Sequence, residues 1–316
     1  MIYLDSKMTL QPQVYRFYSI YLCVIFITLM TACSSNEDED SYQPSFTSEI
    51  GSHTDVEYIF GVHPLHNPQR LHEVFSPLMD YLSSHIMGAS FKLEASRNYA
   101  TYDKKLYAQK FDFALPNPFQ TVNSLKKGYK VFGKMGDDHN FRGIILVRKD
   151  SKIKSIKDLK GKVVSYPAPT ALAATMMPQY YIQTHGLNVM EDIDNRYVGS
   201  QESSIMNVFL KHSSAGATWP LPWFSLSRER PELKEQLEIK WQTDPLPNNG
   251  LVVKQGIPEK VVSEVSSLLF NLHLNAEGKL ILERMELSSF KQANDSTYHP
   301  VNKFLEKFSK EVRSIN

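Results

Sequence analysis

Four short stretches of this sequence place a turn directly after an apolar run and directly before a helical pattern. They are His63–Pro68, Pro116–Phe119, Pro169–Ala173 and Gly199–Glu202. The first N–H groups of a helix have no intrahelical acceptor, and the helix dipole adds positive potential there. Such corners bind anions and small polar ligands at the carboxyl edge of α/β sheets. Four ordinary helix starts would give the same pattern, so the residues alone leave both interpretations open.

Side chains in or beside these corners could add contacts to a bound ligand. Amides, hydroxyls and one imidazole could orient polar atoms, while aromatic rings could form apolar walls. Asn248 fits a turn equally well, because asparagine commonly hydrogen-bonds its own backbone. We predict a ligand site made by His63, Tyr99, Asn117, Phe119, Thr121, Thr170, Ala171, Leu172, Ser200, Gln201, Trp219 and Asn248.

The elements that position these residues alternate between short apolar runs and capped helical patterns. That alternation predicts βα units, and therefore an α/β fold with mostly parallel strands in two sheets. In the central stretch Thr170 is predicted to cap a helix that ends before Gly186. The expected strands are Tyr58–Val62, Phe91–Ala95, Phe111–Leu115, Tyr129–Phe132, Ile144–Val147, Val163–Tyr166, Ala215–Trp219 and Leu251–Val253. Helices are expected from Asn67, Tyr99, Asn117, Ile156, Ser200 and Pro231, and in the C-terminal tail.

One block of sequence resembles a known family. The run VRKDSKIKSIKDLKGKVVSYPAPT, followed by MPQYY at residues 177–181, is similar to the start of the second domain in phosphonate-binding proteins of ABC importers. These are type II periplasmic binding proteins, and the weaker resemblance extends from about Tyr58 to about Leu272. It implies two α/β lobes with a ligand cleft between them. Lobe 1 would comprise residues 55–143 and 249–316, and lobe 2 would comprise residues 144–248.

Several positions depart from the pattern of that family. Its Ser-Thr-Ser corner, whose hydroxyls hold the phosphonate, aligns with Ala171, Leu172 and Ala173. Thr121 occupies a position where the family has a tyrosine, and Gln201 replaces the histidine of the family's Gly-Ser-His corner. Trp219 loosely matches the acid that the family places near a ligand amine. We therefore expect a ligand that is less charged than a phosphonate dianion, or partly aromatic, with backbone N–H groups at Ala171 and Leu172 holding one anionic oxygen.

The N-terminus is typical of a bacterial lipoprotein signal. Residues 1–32 contain an apolar run that ends shortly before Cys33, and Cys33 would be acylated after cleavage of the signal. The alternative is that the segment remains as an uncleaved anchor helix. Residues 33–54 are acidic and polar near their start, as expected of a flexible tether. The other cysteine, Cys23, would leave with the signal, so the mature domain would carry no disulfide. Either Met1 or Met8 could be the true start.

Composition and motifs narrow the function further. The 316 residues carry a formal charge of +1, which gives no indication of nucleic-acid binding, and 42% hydrophobic residues allow a sizeable core. No nucleophile elbow, zinc-protease motif or phosphate loop is present, so we expect no catalytic residue, metal or cofactor. The predicted function is an extracytoplasmic, lipid-anchored solute-binding protein that serves an ABC permease. A binding protein that reports to a sensor kinase is the main alternative, and a hydrolase or thiamine-precursor enzyme is a lesser one.

Overall fold

The structure is a computed structural model and describes residues 55–315. The predicted signal segment, Cys33 and the tether lie outside the described residues. Within residues 55–315, no helix is both long and apolar enough to cross a membrane.

Eleven strands are present in the described part of the chain. In chain order they are β1 (Val56–Val62), β2 (Ala89–Ala95), β3 (Phe113–Leu115), β4 (Tyr129–Met135), β5 (Ile144–Arg148), β6 (Lys162–Tyr166), β7 (Ile193–Tyr197), β8 (Ala215–Thr218), β9 (Leu237–Gln242), β10 (Gly250–Lys254) and β11 (Phe290–Gln292).

Ten α-helices accompany these strands within residues 55–315. They are α1 (Pro68–His85), α2 (Tyr99–Tyr107), α3 (Pro118–Leu125), α4 (Met177–Thr184), α5 (Gln201–Phe209), α6 (Pro220–Glu229), α7 (Glu232–Gln236), α8 (Glu259–Asn271), α9 (Ala276–Arg284) and α10 (His299–Glu311). Single turns of 3₁₀-helix occur at Asp138–Asn140, Ile156–Leu159, Leu272–Leu274 and Asp295–Tyr298, and a π-helix spans Leu172–Met176.

The strands form two separate sheets. The first has the order β11-β4-β10-β3-β1-β2, with β1 parallel to β2 and β3, and β10 antiparallel to β3 and β4. The second has the order β7-β6-β8-β5-β9, with β6 parallel to β7 and β8, and β5 antiparallel to β8 and β9. We call the first sheet with α1–α3 and α8–α10 lobe 1, and the second sheet with α4–α7 lobe 2. The predicted two-lobed α/β fold is confirmed. The expectation of mostly parallel strands is wrong, because four strand pairs are parallel and five are antiparallel.

The chain passes between the sheets twice, at residues 136–143 and at residues 243–249. These two crossovers are bonded to each other. The backbone N–H of Asn248 donates to Asp138 Oδ1 at 3.0 Å, and its side-chain amide donates to the carbonyl of Gly136 at 2.6 Å. Lys134 Nζ lies 2.6 Å from the same Asp138 oxygen. The loop around Asp138 therefore fixes the two crossovers to each other.

The predicted helix starts follow from local chemistry in three corners. The side chains of Asn67, Asn117 and Ser200 accept hydrogen bonds from backbone N–H groups in the first turns of α1, α3 and α5. Proline occupies the first position of α1 and α3, where its missing N–H costs nothing. These three corners are confirmed as caps.

The corner at Pro169–Ala173 differs from the prediction. Thr170 does not cap a helix, because the N–H groups of Thr175 and Met176 both bond to the carbonyl of Ala171. The result is the π-helix, which leads into α4 only at Met177. The extra residue in that turn moves the helix start past Thr170.

Three strands and one helix lacked a clear sequence signal. β7 and β9 lie at the edges of the second sheet and bury few of their side chains, so neither forms an apolar run. The third, β11, has only three residues. The helix α6 contains Pro220 and Pro222 in its first turn, where proline is tolerated, although two prolines so close together are not typical of a helix.

Candidate functional site

Three pairs of residues join the predicted corners across the lobe interface. Asn117 Nδ2 donates to the carbonyl of Thr170 at 3.1 Å. Gln201 Nε2 donates to the hydroxyl of Tyr99 at 3.3 Å. Atoms of His66 and Glu202 lie 3.5 Å apart. The structure therefore brings all four corners to one interface, with the starts of α2 and α3 facing those of α5 and the π-helix.

Aromatic residues fill part of the same interface. Phe119 is buried at the start of α3, and Trp219 is buried just before α6. The ring of Trp219 packs against Phe141 in the first crossover, with 5.5 Å between the ring centroids. The main apolar core includes these three residues together with Ala171 and Leu172, so it runs from lobe 1 into lobe 2. The two lobes are in direct contact, which is a closed arrangement.

At the Pro169–Ala173 corner, the free backbone N–H groups lie one residue later in the chain than predicted. The N–H of Ala171 donates to the carbonyl of Ala168 at 3.1 Å, so a ligand cannot use that donor. Leu172 and Ala173 begin the π-helix, where N–H groups lack intrahelical acceptors. An anionic oxygen held at this corner would meet Leu172 and Ala173.

Two predicted side chains have structural partners. The Thr121 hydroxyl is fully buried and donates to the carbonyl of Asn117 at 3.0 Å, within α3. The Asn248 amide donates to Gly136 in the other crossover, and the Asn248 carbonyl accepts from the hydroxyl of Tyr298. These contacts favour a packing role for Thr121 and a hinge role for Asn248.

Both Ser200 and Gln201 are held tightly at the start of α5. The Ser200 hydroxyl accepts from the N–H of Ser203 at 3.0 Å, as a helix cap does. Gln201 Oε1 accepts from the hydroxyl of Thr218, at the end of β8, at 2.9 Å. Because that bond fixes the amide group, Gln201 presents its nitrogen to lobe 1 and to Tyr99.

Two acidic residues at the interface were missed in the sequence. Asp103 lies one turn after Tyr99 on α2, and it accepts from Gln120 Nε2 at 2.6 Å and faces the hydroxyl of Thr170 at 3.5 Å. Burial raises the pKa of Asp103 to about 6, although these two donors oppose the shift. Glu202 follows Gln201 directly. For Asp103 the available signal was its helical spacing of four residues from Tyr99, and for Glu202 it was only the direct neighbour Gln201.

The histidines at the first corner are buried and neutral. Burial lowers the pKa of His63 to about 4, and burial also lowers the pKa of His66. His63 Nδ1 donates to the carbonyl of Leu115 at 2.9 Å. A neutral imidazole that donates through Nδ1 has an unprotonated Nε2, which is a hydrogen-bond acceptor.

The rim of the interface carries charged contacts between the lobes. Arg70, in α1, contacts Ser225 and Glu229, both in α6. Arg228, also in α6, bonds Glu286 of lobe 1 at 2.6 Å. A groove of about 450 Å³ separates these pairs from α9. Elsewhere on the rim, Arg313, which follows α10, donates to the carbonyl of Pro169 at 2.7 Å and to Gln179 at 3.2 Å.

A further pocket of about 380 Å³ lies beside the second crossover, between α4 and Phe304 of α10. Across residues 55–315, no three His, Cys, Asp or Glu side chains are placed to hold a metal ion.

Two α/β lobes joined by two crossovers, with helix starts facing each other across the interface, form an architecture that can close on a small ligand. Residues 60–298 match the family model described as "ABC transporter, phosphonate, periplasmic substrate-binding protein". The chain belongs to this family, whose members are binding proteins of transporters.

Known relatives agree with that assignment. A probable ABC transporter phosphite binding protein, PhnD1, from Prochlorococcus marinus (strain MIT 9301) is 22% identical over 204 residues, covering 60% of this chain and 67% of the relative. Among solved structures, a binding component of an ABC phosphonate transporter from Pseudomonas aeruginosa has a TM-score of 0.75 at 18% identity, over 81% of this chain and 88% of that chain. Prochlorococcus PhnD1 in complex with methylphosphonate has a TM-score of 0.74 at 19% identity, over 80% and 98%. At these identities the structures show a shared fold.

Proposed function

We propose that this protein is a lipid-anchored binding protein that closes its two lobes on a small polar or singly anionic ligand and delivers it to an ABC-type permease. Residues 55–143 and 249–316 would move as one lobe and residues 144–248 as the other. The crossovers, bonded through Asp138 and Asn248, would act as the hinge.

The meeting of the four corners is the observation that carries this proposal. Asn117 and Tyr99 of lobe 1 bond directly to Thr170 and Gln201 of lobe 2, at helix starts whose dipoles favour negative charge. A ligand placed there would contact both lobes. It could therefore stabilise the closed arrangement by the difference in its affinity for the closed and open forms.

The chemistry of the third corner supports a ligand with little charge. The relative from Prochlorococcus was solved with methylphosphonate, but Ala171, Leu172 and Ala173 offer no hydroxyl. Each lost bond to a charged oxygen costs about 1.5–3 kcal/mol, so a dianion would bind weakly. Phe119 and Trp219 supply apolar surface that favours a partly aromatic ligand.

Isothermal calorimetry on the purified protein tests the ligand class. We expect weak or absent binding of methylphosphonate and phosphate, and loss of binding of any ligand found when Trp219 is changed to Ala. The control is Trp241→Ala, since Trp241 packs on the core of lobe 2 away from the corners. Tight binding of methylphosphonate or phosphate that is unaffected by Trp219→Ala would contradict the proposal.

Delivery to a permease has a separate test in the arrangement of genes. Permease and ATPase genes beside this one are expected. A sensor kinase and a response regulator in their place would favour a sensing role for the same binding site.

A further inference from the structure

Lobe 2 contains a pocket of about 330 Å³ with a basic lining, which we call the basic pocket. It lies where β5 ends and where β6 and β8 begin. The N–H of Ser214, just before β8, donates to the carbonyl of Val163 in β6 at 2.9 Å, and this bond holds the two strand starts together. The ionisable residues of the lining are Arg148, Asp150, Lys152, Lys162 and Lys211.

The basic pocket lies at the opposite edge of the second sheet from the lobe interface. The parallel strands β6 and β8 end at Tyr166 and Thr218, close to Thr170 and Trp219 at the interface. The pocket lies at the other ends of these strands, about 13 Å away at about 3.3 Å per residue. A ligand in the basic pocket would therefore contact lobe 2 alone.

The lining carries four cations and one carboxylate, which leaves a net charge of +3. Asp150 accepts from Arg148 Nε at 2.8 Å and from Arg148 Nη2 at 3.1 Å, and Lys211 Nζ lies 3.4 Å from the same carboxylate. The bond from Arg148 holds the pKa of Asp150 below its usual value, so this carboxylate stays charged. Within residues 55–315, neither Lys152 nor Lys162 forms an ion pair.

This positive charge is concentrated in one segment of a nearly neutral chain. Residues 148–162 contain seven lysines and arginines but only two aspartates, whereas the whole chain has a formal charge of +1. Cations held this close repel one another, and their combined field attracts anions. A bound anion would relieve that repulsion.

Hydroxyl groups in the lining add hydrogen-bonding capacity. The Ser151 hydroxyl is buried and has no hydrogen-bond partner in the described part of the chain. The Ser213 hydroxyl is 3.0 Å from that of Ser165, which occupies it. Buried polar groups are nearly always hydrogen-bonded, so the Ser151 hydroxyl lacks an acceptor. The oxygens of an oxyanion are such acceptors.

We propose that the basic pocket binds a phosphoryl group, whose charge Lys152, Lys162 and Lys211 neutralise and to which Ser151 donates a hydrogen bond. Lysine binds phosphate as a point charge, and a net charge of +3 favours a multiply charged phosphoryl group over a carboxylate. Two sources supply this group: a free phosphorylated compound, or the headgroup of an anionic phospholipid. The site is separate from the cleft between the lobes and does not depend on the proposed function.

Calorimetry at low salt, in a buffer without phosphate, tests the site with two probes. Inorganic pyrophosphate represents a free compound, and soluble dihexanoyl phosphatidylglycerol represents a headgroup. The double variant Lys152→Gln with Lys162→Gln should weaken binding of at least one probe about tenfold or more. The matched control is Lys154→Gln with Lys157→Gln, which removes the same charge from exposed positions of the same segment outside the lining. It should change affinity less than twofold.

Trp219→Ala separates the basic pocket from the cleft. Probe binding to the pocket should persist in Trp219→Ala and be weakened in the Lys152 and Lys162 double variant. The reverse result would assign the probe to the cleft and overturn the proposal. Binding of phosphate or methylphosphonate would count against the proposed function only where the double variant retains it, so failures of the two proposals are distinguishable.

The source follows from which probe binds. Binding of pyrophosphate alone would identify a free phosphorylated compound. Binding of phosphatidylglycerol at least tenfold tighter than dihexanoyl phosphatidylcholine would identify a headgroup, because the two lipids share their acyl chains. The proposal is overturned if neither pyrophosphate nor phosphatidylglycerol binds, or if both double variants lose affinity equally, since the attraction would then be a property of the whole basic segment.

Discussion

The amide nitrogen of Gln201 lies 3.3 Å from the hydroxyl oxygen of Tyr99, and each of these residues begins a helix in a different lobe. Gln201 is fixed from behind by Thr218, at the end of β8. Burial raises the pKa of Tyr99, so its hydroxyl keeps its proton at all physiological pH values. The contact therefore joins the carboxyl ends of strands in both sheets through two neutral side chains.

Removal of that hydroxyl should favour the open form. Tyr99→Phe loses one neutral hydrogen bond, about 1 kcal/mol, and should weaken ligand binding roughly fivefold with little change in melting temperature. Tyr107→Phe is a matched control on α2, since the Tyr107 hydroxyl has no hydrogen-bond partner among the described residues. Calorimetry on both variants measures the difference. Equal affinities for the two variants would show that the Tyr99 contact does not contribute to closure.

Arg70 should hold the lobes together even without ligand. It reaches from α1 to Ser225 and Glu229 in α6, and its side chain is 21% exposed. Because Glu229 is half exposed, the contact contributes only about 1 kcal/mol, yet open and closed forms often differ by little more. Arg70→Ala should therefore increase the radius of gyration of the ligand-free protein in X-ray scattering. Arg97→Ala, at an exposed position of lobe 1, should leave it unchanged. An unchanged radius in both variants would refute a role for Arg70 in closure.

Asp103 should make stability depend on pH. Its pKa is about 6 in the folded protein and 3.8 in an unperturbed carboxyl group, because burial disfavours the charged form. Between these values the folded protein holds a proton that the unfolded chain has lost, so this contribution to stability falls as pH rises. Asp103→Asn is neutral at every pH, and its advantage in melting temperature over the wild-type protein should therefore be larger at pH 7.5 than at pH 4.

The difference between the two proteins isolates Asp103 from the histidines. His63 acts in the opposite direction, since its lowered pKa removes stability as pH falls from about 6.5 to 4, but it is present in both proteins. Asp80→Asn, at an exposed position on α1, provides the control. A constant melting difference between pH 4 and pH 7.5 would contradict the buried position of Asp103.

Cys33 should carry the lipid anchor. Cys33→Ser should block lipoprotein maturation and leave the precursor unprocessed, because the acylated thiol is required. Labelling with a radioactive fatty acid, together with gel mobility, measures this. A mature-sized, acylated protein in membranes of the variant would rule out the predicted anchor.

Sequence reasoning located the helix starts that depend on neighbouring residues. Asn67 and Asn117 are each followed by proline, and a cap of this type needs only the next three residues. Thr170 is a residue type that can cap a helix, but it is not followed by proline, and the N–H groups of Thr175 and Met176 bond to the carbonyl of Ala171 and form a π-helix. Which carbonyl these N–H groups bond depends on packing across the interface, and no local sequence pattern predicts that packing.

The acidic side of the site was harder to predict. Asp103 and Glu202 occupy helix positions where acids usually face water, but each lies beside a residue of the other lobe, Thr170 for Asp103 and His66 for Glu202. Arg70 and Glu229 are similarly distant in sequence and adjacent in space. Contacts between lobes depend on the relative placement of two sheets, and periodicity within one element carries no information about it.

The continuity of the apolar core across the lobes gives closure a thermal signature. Phe119 from lobe 1, and Trp219 and Leu221 from lobe 2, belong to one buried cluster in the closed arrangement. Separation of the lobes would expose part of this surface to water, and burial of apolar surface lowers the heat capacity. Binding of any ligand that closes the lobes will therefore show a negative heat-capacity change. This holds even for a ligand without apolar atoms, because closure buries apolar surface of the protein itself.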